Sequence, residues 1–264
     1  MSPEAHDVQA VAPSHDMLGM RLDAIAPGRY IAEIVEAGGR GEGFYCCIAN
    51  VHMCVLAHDD PAFRAIVNGA RYVIPDSTIL QRARALRYGV SAPPTLRGAD
   101  MMLEIARMAA RKGVAIGLVG GRDEAALAGL IERMVAQIPG LSIAYAFSPP
   151  FAGMDEAADA AMVADIKAAR PGVLFVGLGC PKQERWMAAH VDRIPAAMLG
   201  VGAAFDFNAG VVRTSPQWVH KAGLEWAYRL MREPRRLWRR YLTTSPRFLW
   251  LLSRDALGRR GRAG

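Results

Sequence analysis

One carboxylate in this sequence stands directly after an apolar, strand-like run. Residues 72–74 form the run, and Pro75 leads from it to Asp76. A carboxylate at the tip of a strand acts as a general base when it reaches a substrate hydroxyl group. Aspartate is also a favoured helix N-cap, and residues 78–88 read as a helix. The spacing alone therefore leaves both roles open for Asp76 and favours the cap.

Glycine-rich turns follow other strand-like runs. Gly120-Gly121 closes residues 114–119, and Gly177-Leu178-Gly179 closes a run that begins at residue 173. Glycine lets the backbone approach a phosphate, and the free N–H groups of a following helix can bind it. These turns are consistent with a nucleotide diphosphate site, although plain tight turns use the same residues. The dinucleotide and P-loop fingerprints are both missing from the sequence, which argues against a dehydrogenase or a P-loop NTPase.

The sequence predicts no metal site. The one acidic pair beside a histidine, at residues 58–60, precedes Pro61 and is better explained as a helix cap with proline in the first turn. The four cysteines form no CxxC pair, and the histidines lack zinc-ligand spacing. We expect reduced, mostly buried thiols and no cofactor, with catalytic use of Cys180 as the less favoured alternative.

The positive charge is concentrated at the C-terminus. Of 264 residues with net charge +7, residues 221–264 hold twelve basic and three acidic residues, a net +9. Arginine and aromatic residues interleave there at helical spacing, which is typical of a surface that binds anionic lipid. Two interpretations stay open for its apolar residues: Trp238, Trp250 and Leu252 pack on the body, or Trp238 packs and residues 248–252 face lipid. No run of apolar residues is long enough to span a membrane.

Strand-like runs alternate with helical stretches of 10–15 residues up to about residue 210. This order predicts an α/β fold: a Rossmann-like, mostly parallel sheet with helices on both faces. Three segments follow: a flexible leader at 1–18, a catalytic body at 19–210 and a basic helical appendage at 211–264. The appendage reads as consecutive helices broken at Pro234 and Pro246. Sheets of this kind bind ligands at the carboxyl ends of their strands.

Several motifs together resemble the WecG/TagA/CpsF glycosyltransferases, over about residues 28–250. The most distinctive is LFVGLGCPKQERW at 174–186, followed by VGAAFDFNAG at 201–210, GLEWAYR at 223–229 and EPRR at 233–236. Shorter matches are AN at 49–50, IPD at 74–76 and RGAD at 97–100. The resemblance implies an inverting, metal-independent enzyme. Its donor is a UDP-sugar, of the N-acetylmannosamine type or UDP-glucose, and its acceptor is a polyprenyl-diphosphate-linked saccharide of surface or exopolysaccharide synthesis.

The resemblance also assigns roles to residues. It makes Asp76 the catalytic base, which outweighs the cap interpretation, although one residue could serve both roles. It places Asn50 beside the acceptor or the base, and Arg97 at the acceptor. The predicted donor site comprises Gly120, Gly177, Gly179, Gln183, Glu184, Arg229 and Arg236. Arg229 and Arg236 are matched to arginines that close over the diphosphate, with surface solvation or lipid contact as the alternative role.

The sequence departs from the family pattern at a few positions. Ile48 and Ser77 replace a usual threonine and glycine, and Thr95 stands where the family has an arginine, while Arg97 adjoins Gly98.

We therefore expect a cytoplasmic enzyme, peripheral at the inner face of the cell membrane, whose basic C-terminal segment meets an anionic membrane surface. The competing interpretation is a non-catalytic α/β protein that binds nucleotide or nucleic acid. No nucleic-acid-binding module is recognisable in the sequence, so nucleic acid is not an expected partner.

Overall fold

The structure is a computed structural model that describes residues 14–91, 96–150, 153–212, 215–232 and 234–260. The strands are β1 (Ser14–Met17), β2 (Met20–Asp23), β3 (Phe44–Ala49), β4 (Tyr72–Pro75), β5 (Ile116–Gly120), β6 (Ile143–Phe147), β7 (Val173–Gly177) and β8 (Ala197–Gly200). The helices of the body are α1 (Pro27–Gly39), α2 (Val51–Asp59), α3 (Pro61–Gly69), α4 (Thr78–Tyr88), α5 (Gly98–Lys112), α6 (Glu124–Gln137), α7 (Glu156–Ala169), α8 (Lys182–His190) and α9 (Ala204–Asn208). The C-terminal helices are α10 (Gln217–Ala222), α11 (Glu225–Arg232) and α12 (Pro234–Arg260).

Six strands form one parallel sheet in the order β4-β3-β8-β7-β5-β6. The inner strands carry unbroken apolar runs because both faces of the sheet are covered. In β3, Cys46 and Ile48 face the core beneath α1, α5 and α6, whereas Cys47 and Ala49 face the core beneath α2, α3, α8 and α12. The predicted Rossmann-like α/β fold is confirmed.

A hairpin of β1 and β2 lies along the exposed edge of β4. The Val73 N–H donates to Asp23 Oδ2 at 2.7 Å, and Arg21 Nη2 donates to the Arg71 carbonyl at 3.1 Å. These bonds satisfy backbone groups that an edge strand leaves unpaired. The hairpin corrects the predicted leader at residues 14–18, where Met17 is fully buried. Residues 1–13 of that leader lie outside the described residues.

Helix α12 packs against α2 and contributes to the core on that face of the sheet. Phe248 is 1% exposed and Leu251 is also buried, whereas Trp238 is 46% exposed. The interpretation in which Trp238 packs and residues 248–252 face lipid is therefore wrong for Trp238, Phe248 and Leu251. The alternative, in which the apolar residues pack on the body, is confirmed for Leu252 but not for the exposed Trp250. Periodicity alone identified an amphipathic helix but not which of its apolar stripes meets the body.

The chain continues as one helix through Pro246, so the predicted break there is also wrong. Proline removes one helical hydrogen bond, but packing on both sides of it maintains the helix. Arg247 donates to both carboxylate oxygens of Asp59 on α2, at 2.5 and 2.9 Å. The inner side of helix α12 therefore packs on the folded body. The domain boundary predicted at residue 210 stays a prediction.

Candidate active site

A cleft of about 670 Å³ lies at the carboxyl ends of the parallel strands, and we call it the main cleft. Its walls include Ile48, Asn50, Asp76, Arg97, Gly98, Gly121, Arg122, Asp159, Gly177, Leu178, Gly179, Lys182, Gln183, Trp186, Val201, Gly202, Asp206, Phe207, Ser215, Glu225 and Arg229. The strand order brings the ends of β3, β4, β7 and β8 to this one edge. Open parallel sheets bind their ligands in this position.

Asp76 lies at the tip of β4 and lines the main cleft. Its N–H donates to the Ala49 carbonyl at 2.9 Å, and its Oδ1 accepts from the Gly98 N–H at 2.7 Å. The helix cap that the sequence suggested for Asp76 is wrong, because Ser77 is the N-cap of α4 and its Oγ accepts from the Leu80 N–H. The Asp76 carboxylate is thus held by the first turn of α5 and lies in the cleft.

The polar side chain of Asn50 and the buried side chain of Tyr30 lie near Asp76. Asn50 follows β3 as the N-cap of α2, where its Oδ1 accepts from the Met53 N–H at 3.1 Å. Burial and the nearby Asp76 carboxylate together raise the pKa of Tyr30 on α1. Asn50 lines the same cleft as Asp76, so the two polar residues predicted at the strand tips are brought together.

Close packing leaves little room for a side chain at two of the three predicted glycines. A Cβ on Gly120, which has a φ of +132°, would lie 2.7 Å from backbone atoms of Gly177. A Cβ on Gly177 would lie 2.8 Å from the Phe205 ring. Gly177 and Gly179 line the main cleft, whereas at β5 the lining residue is Gly121 and not Gly120. The structure thus gives Gly120 a packing role between neighbouring strand ends.

The Gln183 side chain braces the loop that follows β7. Its Oε1 accepts from the Gly179 N–H at 3.1 Å, and its Nε2 donates to Glu184 Oε1 at 2.8 Å. Gln183 lines the main cleft, but Glu184 is fully buried behind it and is not one of the lining residues. Glu184 therefore supports the side chain of Gln183 from behind the cleft wall.

Cationic side chains line the cleft from several elements. Arg229 on α11 places its guanidinium 5.2 Å from the centre of the Phe207 ring, and its buried Nε has no hydrogen-bond partner among the described residues. Arg122 follows the Gly120-Gly121 turn and lies 3.8 Å from Asp206, while Lys182 begins α8. Arg122 and Lys182 were missed as site residues, although each adjoins a glycine turn that the sequence singled out.

The two remaining predicted arginines differ in what the structure shows. Arg97 lines the main cleft, but its guanidinium is bonded to Asp100 and to the Ser215 carbonyl. Arg236 belongs to α12, and its side chain is outside the described part of the structure.

A second cavity of about 220 Å³, the side cavity, adjoins the main cleft. It lies between the start of α4 and helices α11 and α12, with walls formed by Asn50, Val51, His52, Asp76, Ser77, Thr78, Ile79, Gly223, Glu225, Trp226, Arg229, Tyr241, Thr244, Ser245, Phe248 and Leu249. Asn50, Asp76, Glu225 and Arg229 line both spaces. The two cavities therefore meet beside the Asp76 carboxylate. Sequence reasoning missed the side cavity, because it forms only when α12 packs.

Of the four cysteines, Cys180 lines the main cleft, whereas Cys46, Cys47 and Cys54 are buried elsewhere. Within the described ranges, no three His, Cys, Asp or Glu side chains are grouped so that they could hold a metal ion. Burial raises the pKa of the Cys46, Cys47 and Cys54 thiols, that of Cys54 to about 12, which keeps them protonated.

A parallel sheet with a carboxylate and several cations in its strand-end cleft is typical of α/β enzymes, which bind their ligands at that edge. The family model of the glycosyl transferase WecG/TagA/CpsF family matches residues 15–262. The chain belongs to this family and is a glycosyltransferase.

Relatives in Staphylococcus aureus strains MW2 and NCTC 8325 are each 26% identical to it over 244 residues, 90% of this chain and 92% of theirs. Both are named N-acetylglucosaminyldiphosphoundecaprenol N-acetyl-beta-D-mannosaminyltransferase.

Proposed function

We propose that this glycosyltransferase moves a sugar from a UDP-sugar to a polyprenyl-diphosphate-linked saccharide, with inversion and without a metal ion. The observation that carries the proposal is the position of Asp76, whose carboxylate lies where the main cleft and the side cavity meet. A donor in one space and an acceptor in the other bring the two reacting atoms together beside a base. The names of the relatives support N-acetylmannosamine as the first sugar to test, with glucose as the second.

In the proposed reaction the acceptor hydroxyl attacks the anomeric carbon of the donor. Asp76 takes the hydroxyl proton, the new glycosidic bond forms, and the bond from the anomeric carbon to the diphosphate oxygen breaks. UDP leaves from the opposite face, which inverts the anomeric configuration. The bond from the Gly98 N–H supports this role because it orients the carboxylate in the cleft.

Negative charge develops on the departing diphosphate, and the cations of the main cleft are suited to receive it. Arg229 contributes a guanidinium whose buried Nε is unpartnered within the part of the chain that the structure describes, while Arg122 and Lys182 adjoin the glycine turns after β5 and β7. Preorganised donors of this kind typically contribute about 2.7–4 kcal/mol each to a transition state. We therefore propose that arginine, lysine and backbone N–H groups together take the place of a divalent ion.

The side cavity is suited to the acceptor. Trp226, Phe248 and Leu249 give it an apolar wall, and Leu249 is also exposed on the outer surface of α12. A diphosphate-linked saccharide in this cavity would extend its prenyl chain towards that surface. The exposed Trp238, Leu242 and Leu249 lie on one side of the helix, at spacings of four and seven residues.

We further propose that this side of α12 rests on the anionic inner face of the cell membrane. Arg235, Arg239 and Arg254 are exposed on the same helix, so basic and apolar groups are presented together. Among the residues that the structure describes, no helix combines the length and the apolarity of a membrane span.

The reaction is tested by Asp76→Asn, which keeps the side-chain shape and removes the base. We expect a folded protein whose transfer activity falls by about 10²- to 10⁴-fold, the usual contribution of general base catalysis. Asp123→Asn is the matched control, because Asp123 is the exposed N-cap of α6 and asparagine caps a helix equally well.

The assay measures transfer from a panel of UDP-sugars to a short-chain polyprenyl-diphosphate saccharide, with and without EDTA, and reads the product anomer by NMR. Asp76→Asn turnover within about threefold of the parent would remove Asp76 from the mechanism. Loss of activity in EDTA that added Mg²⁺ restores would contradict metal independence.

A further inference from the structure

We propose that Arg97 is a positioning residue for the base, linking the Asp76 carboxylate to the start of the C-terminal helices. The proposal rests on the proposed function, in which Asp76 takes the acceptor proton. It replaces direct acceptor binding, the role that the sequence suggested for Arg97.

The first link is the bond between Asp76 and the first residue of α5. The Gly98 N–H donates to Asp76 Oδ1 at 2.7 Å, and a Cβ on Gly98 would lie 3.9 Å from the same oxygen. The direction of this N–H depends on the peptide that joins Arg97 to Gly98, since a peptide unit is planar. Any movement of Arg97 therefore turns the hydrogen bond that orients the base.

The second link is the Arg97 side chain, which is 15% exposed. Its Nε donates to Asp100 Oδ2 at 2.7 Å, and its Nη2 lies 3.4 Å from Asp100 Oδ1. Its Nη1 donates to the Ser215 carbonyl at 2.9 Å. All three guanidinium nitrogens are thus engaged with the protein. Arg97 fixes the first turn of α5 and ties it to the buried residue that precedes α10.

This geometry requires arginine. A lysine carries a single ammonium group and cannot bind both oxygens of Asp100 and the Ser215 carbonyl with the same planar fork. Since α10 leads into α11, which carries Arg229 of the main cleft, Arg97 connects the helix that orients the base with the helices that close the cleft. The connection makes the orientation of Asp76 depend on the docking of the C-terminal helices.

The expected consequence is a change in the pH dependence of turnover. A hydrogen bond donated to a carboxylate favours its charged form, so loosening the Gly98 bond moves the acidic limb of the kcat profile to higher pH. Within the described residues, the other ionisable groups in the walls beside Asp76 are Tyr30 on α1, His52 on α2, Glu225 and Arg229 on α11, Tyr241 on α12, and Arg97 itself. The main cleft is also lined by Arg122, Asp159, Cys180, Lys182 and Asp206. Substitution of Arg97 leaves all of these side chains in place except that of Arg97.

The experiment compares Arg97→Ala and Arg97→Lys with Arg107→Ala. Arg107 is the matched control, because it forms an ion pair with Glu104 on the same helix at the same three-residue spacing but lies outside the main cleft. We expect both Arg97 variants to lower kcat by about ten- to a hundredfold, with little change in KM for either substrate, and to shift the acidic limb upward. Arg107→Ala should match the parent enzyme.

Each outcome separates positioning from the other roles. A raised acceptor KM with unchanged kcat would overturn the proposal in favour of direct acceptor binding. A lower kcat without any shift of the pH profile would indicate a merely structural role and would also overturn it. If Arg97→Ala does not fold, Arg97→Lys and Asp100→Asn carry the same test.

The Asp76→Asn result is read separately. An active Asp76→Asn enzyme defeats the proposed function. An inactive one, beside Arg97 variants that behave like Arg107→Ala, defeats only this inference.

Discussion

Replacing Phe248 with alanine tests whether α12 is part of the folded core. The Phe248 side chain is 1% exposed and packs among residues of α2 and the sheet, so its removal leaves a cavity. Phe→Ala changes in cores typically cost about 3–5 kcal/mol. For a chain of this size, about 2–4 °C of melting temperature is lost per kcal/mol, which gives a fall of roughly 6–20 °C.

The neighbouring Leu249 provides the control. It is 61% exposed, so Leu249→Ala should change the free energy of unfolding by no more than about 0.5 kcal/mol. Differential scanning calorimetry gives both melting temperatures, and hydrogen exchange along residues 234–260 shows whether α12 opens locally instead of unfolding with the sheet. Phe248→Ala with an unchanged melting temperature and unchanged exchange would refute the packing of α12 on the body.

The other two predictions concern the membrane-facing side of α12 and the glycine turn after β7. Replacing Trp238 and Leu242 together with serine should weaken binding to vesicles containing anionic lipid by more than tenfold, because each exposed apolar side chain contributes about 1 kcal/mol or more on burial. Val135→Ser, at an exposed position on α6, is the control, and equal sedimentation of the two proteins would contradict a membrane-facing α12. Gly177→Ala should cost about 1–3 kcal/mol, since the new Cβ would lie 2.8 Å from the Phe205 ring. An alanine variant as stable in urea as the parent would show that Phe205 moves aside freely.

Much of the fold could be predicted because its signals are local. The runs that became β3, β5, β7 and β8 are short, apolar and bounded by turns, and the Asp60-Pro61 pair was correctly interpreted as a helix start, since Asp60 caps α3. Helix α2 was missed because it is apolar on nearly every side, being enclosed by the sheet and α12, and so lacks a periodic pattern. The hairpin of β1 and β2 was missed because its polar N-terminal strand resembles a loose leader.

The candidate site was predicted in part. Asp76, Asn50 and Gln183 were selected from motifs, and the structure brings them to one cleft. Arg122 and the side cavity were not selected, because their place beside the site depends on packing between elements far apart in the chain. The choice between Asp76 and Ser77 as the cap of α4 was likewise open, since two adjacent polar residues satisfy the same spacing rule.

What the sequence determined by itself is the succession of strands and helices, the polar residues at strand tips and the basic, amphipathic character of the C-terminus. What only the tertiary structure decided is which of these meet. Strand β8 is the last in the sequence yet lies between β3 and β7, and α12 returns to close a cavity beside the first half of the sheet. Local patterns specify which face of an element is apolar, whereas the partner of that face is chosen by complementary packing over the whole chain. For this reason the roles of Arg97 and Phe248 could be assigned only from their contacts.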